Sequence, residues 1–93
     1  MRNLIEQLKI QNPDLKTSEI EGLLFILKNE SEISNSSLIR KSGIPKETLK
    51  LFKKSISNYL DNRGEDRLTL NAQGVEELSK IELNPYKWTL YTS

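Results

Sequence analysis

The strongest regular signal along the chain is Ile20, Leu23, Leu24 and Leu27, spaced i, i+3, i+4 and i+7. That spacing lines one face of an α-helix, and Phe25 and Ile26 widen the stripe almost to all-round burial, so the pattern predicts a central core helix. Ser18 is placed to cap its start, with Glu21 reaching back in the Ser-x-x-Glu capping-box arrangement. Gly22 costs about 1 kcal/mol relative to alanine inside a helix, which close approach of a neighbouring helix would explain. Upstream, Leu4, Ile5 and Leu8 share one face of a short opening helix or arm. It stops before Pro13, because proline disfavours helical geometry in the residue preceding it.

After a linker at residues 29–33, Ser34 is a good N-cap for a third helix that carries Leu38 and Ile39 and runs to Ser42. Gly43 supplies the left-handed residue that ends a helix sharply, Ile44 plugs the core, and Pro45 presets the backbone for the next helix. That fourth helix, residues 46–60, places Leu49, Phe52, Ile56, Tyr59 and Leu60 on one inward face. At about 100° per residue, Lys46, Lys50, Lys53, Lys54 and Ser57 form a stripe roughly 90 to 120° away. Leu51 lies far from the apolar face and is expected to touch another helix or to form an exposed patch.

Residues 61–66 are polar with Gly64 as turn residue, and Arg67, Leu68, Thr69 and Leu70 alternate as a short half-buried strand or hairpin does. Asn71 caps a last helix through Val75, Leu78 and Ile81, with Gly74 where that helix passes the strand. Asn84 and Pro85 mark its end. The pattern is thus mainly α with a small β element. It divides into an N-terminal helix or arm (1–12), a globular domain (13–84) and an aromatic tail (85–93).

With 93 residues the chain suffices for one modest core. It has no cysteine and no histidine, which removes disulfides, thiolate nucleophiles, imidazole bases and the usual zinc ligands. Carboxylate pairs such as Glu19 with Glu21, Glu65 with Asp66 and Glu76 with Glu77 lack convincing partners, and no phosphate-cradling glycine loop is present. The expectation is a non-enzyme with no cofactor and no metal. No apolar run approaches the roughly 20 residues that span a bilayer, so no membrane contact and a cytoplasmic location are expected. Net charge is only +1, but residues 40–54 hold six cations against one acid, Glu47. The positive charge is local.

Ile33-Ser34 followed by Leu38, then residues 42–49 reading Ser-Gly-Ile-Pro-Lys-Glu-Thr-Leu, and finally Leu70-Asn71-Ala72-Gln73-Gly74 stand in a telling order. In that order the chain resembles the winged helix-turn-helix superfamily, including regulators of the multiple-antibiotic-resistance type. There a Leu-Thr-x-x-Gly often follows the wing, and Asn71 stands here for the capping threonine. The resemblance implies a positioning helix over residues 34–42 and a recognition helix over 46–60 whose N-terminal half enters the major groove. The short stretch between Leu60 and Arg67 implies a short or vestigial wing. A looser architectural similarity is to the N-terminal winged-helix modules of methyltransferase-like branched-polyamine synthases.

The nucleic-acid-binding candidates are Arg40, Lys41, Lys46, Thr48, Lys50, Lys53 and Lys54, with Arg63 and Arg67 as wing candidates. Ser36, Ser37 and Thr48 can donate to phosphate near helix starts, or serve only as helix-start residues. Lysine in place of arginine, asparagine or glutamine suits phosphates more than base edges. Tyr86, Trp88, Leu90 and Tyr91 suit an interface with a second copy or a following domain, and the aromatics could alternatively stack on bases. The expected function is binding of double-stranded DNA by a transcriptional regulator or regulatory module. The rival is a non-catalytic interaction or scaffold domain, docked to a larger enzyme or forming a homodimer.

Overall fold

The computed structural model describes residues 4–61 and 66–81. It is mainly helical with a small two-stranded antiparallel sheet. The elements are α1 (Leu4–Gln11), α2 (Thr17–Glu30), β1 (Glu32–Ser34), α3 (Asn35–Ser42), α4 (Lys46–Ser55), a 3-10 turn (Ser57–Tyr59), β2 (Arg67–Thr69) and α5 (Ala72–Ser79). Ile20, Leu23, Leu24, Ile26 and Leu27 of α2 are all buried and form the centre of a single core. Leu8, Leu38, Leu49, Phe52, Ile56, Leu68 and Leu78 close on that centre from the other elements.

Helix α2 starts one residue earlier than Ser18, and Lys16, not Ser18, is the N-cap. The reciprocal acid is Glu19 rather than Glu21: its carboxylate accepts the Lys16 backbone N–H at 2.8 Å. A lysine side chain has no acceptor, so only the acid's half of a capping box can operate. Burial explains the choice. Leu15 and Ile20, at the two positions a hydrophobic staple joins, both sit in the core and fix where the chain enters the helix. Asn12, also buried, donates through Nδ2 to the Leu8 carbonyl and to Ser55 Oγ, tying the end of α1 to the end of α4.

The linker predicted at residues 29–33 contains a strand. Ser31 takes a left-handed conformation (φ 61°) and turns the chain out of α2, and its carbonyl accepts from Leu70 N. β1 then pairs with β2 in the register Glu32 with Thr69, Ile33 with Leu68 and Ser34 with Arg67. On the other edge of β2, Leu60 bridges Leu70 and Asp61 N donates to the Thr69 carbonyl.

Ser34 caps α3, its Oγ accepting from Ser37 N at 3.2 Å, and Gly43 ends the helix at φ 77°. Pro45 occupies the N-cap of α4 with φ −65°. The α-helix stops at Ser55 instead of reaching Leu60, and a 3-10 turn carries Tyr59 and Leu60 against the core, half-buried. Asn71 caps α5, accepting from Gly74 N at 2.8 Å. A Cβ on Gly74 would stand 2.3 Å from the Tyr59 carbonyl oxygen, so only glycine lets α5 approach the 3-10 turn this closely. Val75 is 48% exposed and lies off the buried face that Gly74 and Leu78 form.

Candidate nucleic-acid interface

The arrangement of α3, the Gly43 turn and α4 follows from local chemistry: a serine cap, a left-handed glycine, a buried Ile44 and a proline start. Burial of Leu49 and Phe52 fixes how α4 is rotated. At about 100° per residue, Lys53, Lys46, Lys50 and Lys54 then follow one another within a sector of roughly 100° on one flank. They do not have equal freedom. Lys53, nearest the buried face, is half-buried and donates to Asn35 Oδ1 at 3.1 Å, linking α4 to the start of α3. Lys46, Lys50 and Lys54 are exposed, and no hydrogen-bond or ion-pair partner engages them among the described residues.

That flank opens onto a groove of about 840 Å³ between α4 and the first turn of α3. Ser34, Asn35 and Ser36 line it from the start of α3, Lys46, Lys50 and Lys53 from α4, and Asp66 from the chain just before β2. The Asn35 backbone N–H donates to the Asp66 carbonyl at 2.8 Å, which pins the chain entering β2 beside the helix start. Asn35 and Asp66 carried no signal in the sequence, because both act through partners that only folding brings near.

Three further candidate cations are engaged within the molecule. Lys41 pairs with Glu30 at 2.9 Å, Arg67 pairs with Glu32 across the sheet, and Arg40 donates to Ser37 Oγ at 3.4 Å. Thr48 lies about 160° around α4 from Lys50. It lines a separate cleft of about 120 Å³ with Asn12, Asp14, Leu15, Glu47 and Leu51, away from the groove. Leu51, 44% exposed, rims that cleft. Arg63 and the tail residues Tyr86, Trp88, Leu90 and Tyr91 lie outside the described residues.

Among the described residues no cluster of acids could hold a metal ion, and no helix is long and apolar enough to cross a membrane. Fold and site together define a small, mainly helical domain with a cationic helix flank beside an open groove, three of the flank's four lysines having no partner among the described residues. No protein-family model, curated protein or solved structure matches the chain.

Proposed function

We propose that this is a winged-helix domain that binds double-stranded DNA, with α4 as the recognition helix and α3 as the helix that positions it. The order helix, strand, helix, turn, helix and then a chain paired along β2 supports the winged-helix reading. The observation that carries DNA binding is the state of Lys46, Lys50 and Lys54: exposed, aligned on one flank and, among the described residues, paired with no carboxylate. Three like charges kept together on one solvent-facing flank, with Lys46 and Lys50 lining the groove, create a local positive potential that favours a polyanion. Ser36, at the start of α3, lines the same groove and adds a hydroxyl donor suited to phosphate oxygens. A regulatory role in transcription, as a free-standing protein or as a module, follows as the proposed setting.

The test is retention of a mixed duplex pool by the wild type and by a variant carrying K46E, K50E and K54E. The wild type should retain duplex and the variant should lose it, while both keep the same helical circular dichroism spectrum. Equal, negligible retention by two folded proteins would instead favour a protein-interaction domain.

A further inference from the structure

We infer that the lysine flank grips duplex by its phosphates without selecting base sequence, an inference that rests on the DNA-binding reading above. The fixed planar forks that read bases in the major groove are arginine to guanine and asparagine or glutamine to adenine, whereas lysine reaches guanine O6 and N7 only through rotatable donors on a flexible stem. The outward positions of α4 on this flank are Lys46, Glu47, Lys50 and Lys54, none of which has that geometry. An ammonium group is a compact point charge with rotatable donors and no fixed fork, so it follows charge rather than base pattern.

Among the described residues, four planar groups are already engaged inside the protein. Asn35 Oδ1 receives Lys53, Arg67 is paired with Glu32, and Arg40 leans on Ser37. Asn71 serves as the cap of α5, and its Nδ2 donates to the Asn58 carbonyl. Redirecting Asn35 or Asn71 toward a base would break a contact between elements, and redirecting Arg67 or Arg40 would give up a surface contact.

The spacing of the free lysines also fits phosphates. Lys46 and Lys54 are eight residues apart, about 12 Å along the helix axis. The major groove is about 12 Å wide, so a helix lying across it would bring the outer two ammonium groups to phosphates on opposite rims. Lys50 would sit between them. Glu47, the one acid of α4, borders both this flank and the separate cleft that Thr48 lines, and its carboxylate is able to accept from cytosine N4.

The experiment is selection by the full chain from a duplex pool with a randomised core, followed by sequencing and by titration of individual duplexes. The inference predicts retained duplexes without a consensus and affinities spread by less than about fivefold, the low end of what one bidentate contact discriminates. Lys50→Ala, which removes the charge without adding a group that reads bases, should weaken every duplex by the same factor. A consensus with a larger spread would overturn the inference and leave DNA binding standing, and a cytosine-centred one would point to Glu47. Failure to retain any duplex would overturn the DNA-binding reading itself.

Discussion

Helix α4 has two sides built from the same ten residues to different ends. On one, Leu49 and Phe52 are almost fully buried and Ile56 follows just past the helix end, equally buried. On the other, Lys46, Lys50 and Lys54 face solvent and touch no charged group of the described chain. Burial on the first side sets the rotation of the helix, and that rotation alone gathers the lysines on a single flank. Stability and the proposed activity therefore reside in different residues of one helix and should separate under mutation.

The sharpest break is Phe52→Ala. Removing a fully buried aromatic should cost about 3 to 5 kcal/mol of unfolding free energy in chemical denaturation. Next is Gly74→Ala, whose new methyl meets the Tyr59 backbone oxygen and cannot be accommodated by a rotamer change. A loss of about 1 to 3 kcal/mol is expected, with no change in the α4 lysines. On the other side of α4, K50Q should leave stability within about 0.5 kcal/mol, because it removes no internal contact. It should nonetheless lower the salt dependence of duplex binding by about one unit. The smallest effect is expected for Glu30→Gln, which frees Lys41 from a surface pair: up to about 1 kcal/mol of stability lost, and a modest gain in duplex affinity. A large stability loss from K50Q, or none from F52A, would undo the division of labour.

What could be seen in advance were features whose chemistry is local. The Ser34 cap, the Gly43 turn, the start at Pro45 and the Asn71 cap with Gly74 each involve residues within a turn of one another. The β1 strand was missed because its three residues carry a single apolar side chain and owe their extended form to partners about 35 positions away. The end of α4 was placed too late for a related reason. Ile56, Tyr59 and Leu60 continue the apolar rhythm, and spacings of three to four residues suit a 3-10 turn as well as an α-helix.

The candidate surface was legible as a charge cluster but not as a site. Sequence counted six cations between Arg40 and Lys54 as equivalent, and folding divides them. Glu30, Asn35 and Ser37 engage three of those six, and Glu32 engages Arg67 beyond them. Thr48, expected as a phosphate donor near a helix start, is carried by helical rotation to the opposite flank.

The salt dependence of duplex binding by the wild-type chain tests the central claim most directly. Three free lysines neutralising three phosphates predict that the logarithm of the association constant falls against the logarithm of salt with a slope of about −2.7. Between about 50 and 200 mM salt that is a loss of roughly 40-fold. An association constant that stays flat across this range would contradict the lysine flank as the binding surface.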